Sequence, residues 1–151
     1  MSNIVLALHR LIYFMSRSLC IPFLPILLNK IFIRLLFGCQ LGVNTIIGKN
    51  VCLGYGGLGI VIHDRAVIGN NVIIGTCVTI GGTSNKYGVP VIGDNSIVSS
   101  GAKILGPIEI GKNCVIGANA VVLINIPDNC LAVGVPARII KNNINISNYI
   151  D

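Results

Sequence analysis

The sequence has no tryptophan, only two histidines and only 11% charged residues, against 53% apolar residues. No acidic residue precedes Asp64, although basic residues occur throughout this part of the chain. They are Arg10, Arg17, Lys30, Arg34 and Lys49. Such a composition excludes a disordered chain, which needs low hydrophobicity and high net charge. The apolar, purely basic first third could face anionic lipid or a phosphorylated ligand, or it could be an ordinary solvated helical surface.

Metal-binding patterns are also missing. The six cysteines lie far apart without a Cys-x-x-Cys pair, and two histidines are too few to complete a zinc site with them. We therefore expect no metal, and we interpret the cysteines as buried or half-buried small apolar residues in a reducing cytoplasm. The net charge of +6 is the only feature that favours nucleic-acid binding. The sequence has no nucleic-acid-binding motif and few aromatic residues, so no nucleic-acid partner is expected.

No segment is typical of a membrane span or a secretory signal. The longest apolar run, residues 19–28, is too short to cross a bilayer and is interrupted by Pro22 and Pro25. The first residues lack a basic region and a small-residue cleavage site. The sequence therefore predicts a cytoplasmic protein.

What the sequence does contain is a six-residue repeat from about residue 41 onward. Branched apolar residues recur every six positions, with one step of twelve between Ile80 and Ile92. The series comprises Ile62, Ile68, Ile74, Ile80, Ile92, Val98, Ile104, Ile110, Ile116 and Val122. Neither the helical period of 3.6 nor the strand period of 2 fits this spacing. A period of six predicts a parallel β-helix with three short strands per coil, and residues 41–137 supply about five coils.

Two other segments flank the repeat. Residues 4–36 carry apolar residues at helical spacing and lead to Gly38, which predicts two short N-terminal helices. The polar tail after Lys141 is either a short cap or a frayed end. The expected organisation is a helical segment (1–38), a β-helix domain (39–141) and a tail (142–151).

Four motifs, "GLGIVIHDRAVIGNNV", "VTIGGT", "GAKILG" and "VGVPARII", resemble those of the serine acetyltransferase-like branch of the hexapeptide acyltransferases. The resemblance covers about residues 40–141. It implies an all-β, left-handed β-helix, a homotrimer, and acyl transfer from acetyl-CoA to a hydroxyl or an amine. The N-terminal helices that run into "LLFG" are similar to those of a subgroup linked to bacterial surface-polysaccharide loci.

The sequence departs from true serine acetyltransferases at several site positions. Their Asp-His pair aligns with Gly54 and Tyr55, a second histidine aligns with Val89, and an acid that helps to hold serine aligns with Gln40. The fold and the donor therefore carry over, whereas serine as acceptor does not. The leading prediction is acetylation of a hydroxyl on a sugar or surface-polysaccharide precursor. The alternatives are serine O-acetylation for cysteine synthesis and a catalytically inactive trimeric scaffold.

The first helices suggest where such an enzyme would work. Because residues 4–36 are apolar and basic, we expect them to lie on the inner face of the cytoplasmic membrane, near a lipid-linked substrate.

His63 is the candidate base. It occupies a slot that is usually glycine in the repeat and that leaves the core. At 18 residues per coil, His63 stacks about one strand spacing (~4.8 Å) from Gly81 and close to Gly82 and Thr83. An imidazole suits proton transfer near neutral pH, and backbone N–H groups at glycine-rich corners suit an oxyanion. The alternative is an inert surface histidine.

The remaining candidates follow from the resemblance. Tyr55 takes the place of the usual histidine and is predicted to orient the acceptor, or it simply packs. The acetyl-CoA positions map onto Gly82, Thr83, Ser100 and Ala118. Ser100 and Ala118 share one column, but whether that column lies on the face of His63 depends on the path of residues 84–89. Arg138 and Lys141 are candidate phosphate partners, or plain solvated cations.

Overall fold

A computed structural model describes residues 4–18 and 23–150 of the chain. Helix α1 (Ile4–Ser18) and helix α2 (Phe23–Leu28) come first, and α2 continues as a π-helix over Asn29–Leu35. Gly38 ends this segment with a φ of +60°, a backbone conformation that glycine adopts without steric cost. The two predicted helices are confirmed, but the second one changes its winding.

The rest of the chain forms three sheets of short strands, here named A, B and C. Sheet A contains β1 (Gln40–Leu41), β4 (Val61–Ile62), β7 (Thr79–Gly81), β10 (Lys103–Leu105) and β13 (Val121–Val122). Sheet B contains β2 (Ile46–Ile47), β5 (Val67–Ile68), β8 (Val91–Ile92) and β11 (Glu109–Ile110). Sheet C contains β3 (Cys52–Leu53), β6 (Ile73–Ile74), β9 (Ile97–Val98), β12 (Val115–Ile116), β14 (Leu131–Val133) and β15 (Arg138–Lys141).

Each coil visits sheets A, B and C in turn, and all neighbouring strands are parallel except β14 and β15. This is the predicted left-handed β-helix. Four coils have a strand in every sheet. In the fifth coil, a single β-bridge between Ile110 and Ile126 replaces the strand of sheet B. We name the three edges of the prism corner AB, corner BC and corner CA, after the sheets that they join.

The repeat builds the core as predicted. Every residue of the branched apolar series is at most 2% exposed, and residues of neighbouring coils pair in register, as Ile62 does with Ile80. Burying one such side chain contributes about 1.5–3 kcal/mol relative to leaving it in water. Small residues four positions further on, such as Ala66, Ala102 and Ala120, are fully buried as well. The period of six therefore fixes both the register and the interior of the prism.

The step of twelve is a loop that leaves the prism. Ile80 pairs with Ile104, which is 24 positions along the chain instead of 18. The additional residues lie between β7 and β8, within the segment 82–90, and residues 83–87 are exposed. We call this segment the corner loop. It projects from corner AB, the edge that also contains His63.

Corner BC is a ladder of asparagine side chains. Each Nδ2 donates to the Oδ1 of the next asparagine over 2.9–3.2 Å. The members are Asn50, Asn71, Asn95, Asn113 and Asn129, with φ between 54° and 58°. Left-handed backbone costs most residues about 1–2 kcal/mol, and asparagine is one of the few that adopts it routinely. The ladder thus stabilises the left-handed backbone at this sharp corner and links all five coils.

The N-terminal helices pack on the first coil. His9 Nε2 donates to the carbonyl oxygen of Thr45 over 3.1 Å, and Arg10 donates to Gly48 over 2.9 Å. Thr45 Oγ1 in turn donates to the carbonyl of His63 over 3.1 Å. The helix is therefore hydrogen-bonded, through one threonine, to the corner that contains His63.

The cysteines correct one expectation. Cys39, Cys114 and Cys130 are buried, but Cys52 and Cys77 are exposed. Cys52 occupies the outward position of its strand, and Cys77 adopts a left-handed corner conformation with φ of 57°. Cys20 lies outside the described residues. In the tail, Ile146–Tyr149 forms a 3₁₀ turn after β15, so the tail is structured.

Candidate active site

His63 lies at corner AB, directly after β4. Its backbone N–H donates to the carbonyl of Ile80 over 2.9 Å, and its half-buried side chain lines a cleft at this corner. The register thus places the ring beside Gly81 and the root of the corner loop, as the repeat predicts. Within the described residues, the backbone N–H groups of Gly82 and Thr83 donate no hydrogen bond. Both residues directly follow Gly81, which lines the same cleft as His63.

The ring of His63 is held in one protonation pattern. The backbone N–H of Arg65 donates to His63 Nδ1 over 3.1 Å. Because a backbone N–H can only donate, the neutral ring carries its proton on Nε2 and its lone pair on Nδ1. A proton taken up by His63 must therefore go to Nδ1, which requires the Arg65 N–H to be displaced.

Arg65 also contacts the corner loop. Its guanidinium group lies 3.8 Å from the centroid of the Tyr87 ring. A cation over an aromatic face is attracted by the ring quadrupole, typically by about 0.5–1 kcal/mol at exposed sites. One residue thus holds His63 through its backbone and the loop through its side chain.

Asp64 serves the turn and makes no direct bond to His63. Its carboxylate accepts the Asn44 backbone N–H over 2.9 Å and Asn44 Nδ2 over 2.7 Å. Burial alone raises the pKa of Asp64, but the Asn44 hydrogen bonds and the nearby His63 together hold this pKa below its usual value. Asp64 is therefore an ionised neighbour of His63 at neutral pH.

A cleft of about 390 Å³ opens beside His63, between the prism and the N-terminal helices. It combines charged and amide side chains with an apolar floor. Its polar lining comprises Asn29, Arg34, Gln40, His63 and Asp64. Such a concave site with few convergent polar groups fits a small molecule.

The other candidates lie at corner CA, across sheet A from His63. Tyr55 is 92% exposed and has φ of 47° and ψ of 41°. Below it, Thr76 Oγ1 donates to Ser100 Oγ over 3.2 Å, and Ala118 continues the same column. Within one chain, Tyr55, Ser100 and Ala118 thus share an edge that is separate from that of His63, Gly82 and Thr83. This separation answers the question that the sequence left open.

The two C-terminal cations take different positions. Arg138 pairs with Val133, at the end of β14 that leads into corner CA. Lys141 pairs with Leu131, at the opposite end of the same strand. Only Arg138 therefore lies beside the column of Ser100 and Ala118.

Comparison with known proteins agrees with this architecture. A family described as "Bacterial transferase hexapeptide (six repeats)" matches residues 90–123, and "Hexapeptide repeat of succinyl-transferase" matches residues 38–76. A serine acetyltransferase of Synechococcus elongatus is 36% identical over 137 residues, which are 89% of this chain and 55% of that protein. The chain belongs to the hexapeptide-repeat acyltransferase family.

Solved members of the family superpose closely on the chain. The soybean serine acetyltransferase complexed with serine has a TM-score of 0.84 and 37% identity, with 90% of this chain and 56% of that chain covered. The Brucella abortus serine acetyltransferase in complex with coenzyme A has a TM-score of 0.85 and 32% identity, with 91% and 54% covered. The chain thus spans about half the length of the acetyltransferases it matches. All three of these proteins are named serine acetyltransferases, and they give no support to the predicted polysaccharide subgroup.

Three residues at the candidate site were not found from the sequence. Arg34 lines the cleft, and the pair of Arg65 and Tyr87 joins His63 to the corner loop. Arg34 is presented by a π-helix, which leaves no periodic signal in the sequence. Arg65 and Tyr87 are 22 residues apart, and only the folded coil brings them into contact.

Proposed function

We propose that the protein is an acetyl-CoA-dependent O-acetyltransferase and that serine is its first candidate acceptor. The proposal rests above all on His63, which lines a cleft of about 390 Å³ together with Gly81, the residue directly before the free N–H groups of Gly82 and Thr83. The serine acetyltransferases among the relatives supply the reaction class. Because acetyl-CoA brings an acetyl group already activated as a thioester, the chain has two tasks: to take the proton of the acceptor and to hold the oxyanion.

His63 takes the proton. The acceptor hydroxyl displaces the Arg65 N–H and donates to Nδ1, where the lone pair of the neutral ring lies. As the hydroxyl oxygen attacks, His63 accepts the proton on Nδ1, and it later returns this proton to the leaving sulfur. A positioned base of this kind contributes about 10²–10⁴-fold to a rate. The N–H groups of Gly82 and Thr83 donate to the oxygen on which negative charge develops.

We further propose a homotrimer that completes the site. The candidate residues of one chain are divided between corner AB, which carries His63, and corner CA, which carries Tyr55 and Ser100. A closed ring of copies brings corner AB of one copy against corner CA of the next. Tyr55 then orients the acceptor, the column of Ser100 and Ala118 receives the pantetheine arm, and Arg138 pairs with phosphate. Lys141, at the far end of its strand, is the weaker phosphate candidate.

A hydroxyl on a sugar precursor is the second candidate acceptor. It is favoured by Gln40, which puts a neutral amide in the cleft where the family uses an acid, and by Tyr55 and Val89 in place of histidines. With this acceptor we propose a membrane contact through the N-terminal helices, whose exposed apolar residues include Leu11 and Phe14. No described helix is long and apolar enough to cross a membrane.

The test is thiol release from acetyl-CoA with serine and with a panel of sugars, compared between the wild type and His63→Ala. We expect the variant to lose about 10²–10⁴-fold in kcat while it still binds acetyl-CoA. Leu123→Ala is the matched control, because Leu123 follows Val122 in the last coil as His63 follows Ile62, and it should keep wild-type turnover. Near-wild-type turnover by His63→Ala would refute the assignment of the base. A wild type that neither turns over nor binds acetyl-CoA would be a scaffold instead.

A further inference from the structure

Arg34 reaches the cleft of His63 because of the way its helix is wound. Residues five apart in an α-helix point about 140° away from each other, since each residue turns the helix by about 100°. In a π-helix the hydrogen bonds run between residues five apart, so such residues share one face, as residues four apart do in an α-helix. Asn29 and Arg34 are polar residues of the π-helix Asn29–Leu35, five apart, and both line the cleft. The unusual winding therefore places both on one face.

This π-helix is fixed to the prism at the site. Asn29 Nδ2 donates to the carbonyl of Leu41 over 2.7 Å, and Ile33, between Asn29 and Arg34, is fully buried in the core. Leu41 belongs to β1, which pairs directly with β4, the strand that directly precedes His63. The position of Arg34 relative to His63 is thus set by packing and hydrogen bonding on adjacent elements.

The guanidinium group of Arg34 has no partner among the described residues. Within residues 4–18 and 23–150, the side chain of Arg34 makes no hydrogen bond and no ion pair, although it lines the cleft. The acid among the described lining residues is Asp64, and both of its oxygens accept hydrogen bonds from Asn44. Gln40, which aligns with the acid of true serine acetyltransferases, is neutral. The cleft therefore offers a free cation and an already engaged anion.

We infer that Arg34 binds an oxyanion group of the acceptor, so that the substrate is a hydroxyl compound that carries a carboxylate or a phosphate. This inference rests on the proposed acetyl transfer at His63. An arginine fork binds either group through two parallel hydrogen bonds, and the guanidinium keeps its charge at every physiological pH. Two contacts, His63 on the hydroxyl and Arg34 on the anionic group, then fix the orientation of the acceptor.

Paired acceptors that differ only in the anionic group provide the test. Serine is compared with serinamide, glucuronate with glucose, and glucose 6-phosphate with glucose, each with the full-length wild type, Arg34→Gln and Arg34→Lys. Since Arg34 is exposed, neither substitution removes packing. Arg17→Gln is the control for loss of one positive charge from the N-terminal helices, because Arg17 contacts Tyr13 on α1 and lies outside the cleft.

We expect the wild type to prefer the anionic member of at least one pair. Arg34→Gln should raise KM for that acceptor by roughly 10- to 100-fold with little change in kcat, as the loss of a charge-assisted hydrogen bond requires. Arg34→Lys should have a KM between those of the wild type and Arg34→Gln. Arg17→Gln should have the KM of the wild type. Preference for serine or glucuronate assigns a carboxylate, and preference for glucose 6-phosphate assigns a phosphate.

Two results would overturn the inference and leave acetyl transfer standing. One is equal use of anionic and neutral acceptors, with all of them unaffected by Arg34→Gln. The other is a weaker affinity of Arg34→Gln for acetyl-CoA at an unchanged acceptor KM, which would assign Arg34 to the donor. Absence of turnover with every acceptor, combined with absence of acetyl-CoA binding, would instead refute the proposed function itself, and this inference with it.

Discussion

The guanidinium group of Arg65 lies over the ring of Tyr87, 3.8 Å from its centroid, while the backbone N–H of the same arginine donates to His63 Nδ1. The corner loop and the candidate base are therefore held by one residue. Tyr87 is 83% exposed, so this contact with Arg65 is what keeps its ring at corner AB.

Loss of the Tyr87 ring should weaken catalysis without weakening the fold. We expect Tyr87→Ala to lower kcat/KM by about 2- to 5-fold, the equivalent of an exposed cation–π contact of about 0.5–1 kcal/mol. Tyr87→Phe keeps the aromatic face and should behave as the wild type. Steady-state kinetics and thermal unfolding of the three proteins provide the comparison. Equal losses in Phe and Ala variants would show that the hydroxyl, not the ring face, matters.

Tyr55 should be costly for stability and useful for activity. Its φ of 47° lies in the left-handed region, which costs a residue other than glycine about 1–2 kcal/mol, and burial does not compensate because the side chain is 92% exposed. We expect Tyr55→Gly to raise the free energy of unfolding by about 1 kcal/mol and to lower kcat/KM. Denaturant unfolding and acetyl-transfer assays measure the two effects. A variant that gains stability at full activity would show that Tyr55 has no role at the site.

His9 should make the stability of the protein depend on pH. Burial lowers the pKa of His9 from 6.5, with a smaller contribution from Arg10, against opposing effects of Thr45 and Asp64. His9 Nδ1 is buried and has no hydrogen-bond partner in the part of the chain that the structure describes, so the charged ring is poorly accommodated. Because the folded chain binds this proton less readily than the unfolded chain, the contribution of His9 is complete above pH 6.5 and falls as the pH drops toward the lowered pKa.

Unfolding midpoints of the wild type and His9→Gln, measured from pH 7.5 down to pH 5 at one protein concentration, test this dependence. Glutamine can still donate to the Thr45 carbonyl but does not titrate. The wild type should lose stability below pH 6.5 more steeply than the variant. Parallel curves would mean that His9 does not set the acid limit.

Asn95, an interior member of the asparagine ladder, should contribute to the stability of the fold. It accepts from Asn71 over 2.9 Å and donates to Asn113 over 3.2 Å, with φ of 58°. We expect Asn95→Ala to lower the free energy of unfolding by about 2–4 kcal/mol, through two lost hydrogen bonds and the left-handed backbone. Asn95→Gly should recover only the part of this free energy that comes from the left-handed backbone, because glycine adopts it without cost but makes no ladder bond. Asn143→Ala is the control, since Asn143 has a φ of 54° but lies outside the ladder; if it costs as much as Asn95→Ala, the ladder bonds contribute nothing.

The prism itself could be predicted from the sequence because its determinants are local and periodic. One branched residue in six, such as Ile62 and Ile80, specifies strand, register and interior together, and the structure confirms each. The corner loop was visible as a step of twelve, although not its direction, because a gap in a period does not say which side of the coil it leaves.

The site was predictable only in part, because its geometry arises between elements. His63 was found from its outward slot, but the position of Tyr55 on a different edge follows from strand pairing. Arg34 could not be placed, since its direction depends on a π-helix that no residue type specifies. Packing of Ile33 and the bond from Asn29 to Leu41 select that winding only in the folded chain.

The final strand, β15, has a consequence for how copies of the chain can meet. It runs antiparallel to β14, so the last coil ends on a reversed strand, while the N-terminal helices pack on the first coil. An open solenoid of identical rungs would be a template for end-to-end growth into fibres. The helices and the antiparallel strand β15 therefore each cover strand edges that could otherwise pair with a strand of another copy.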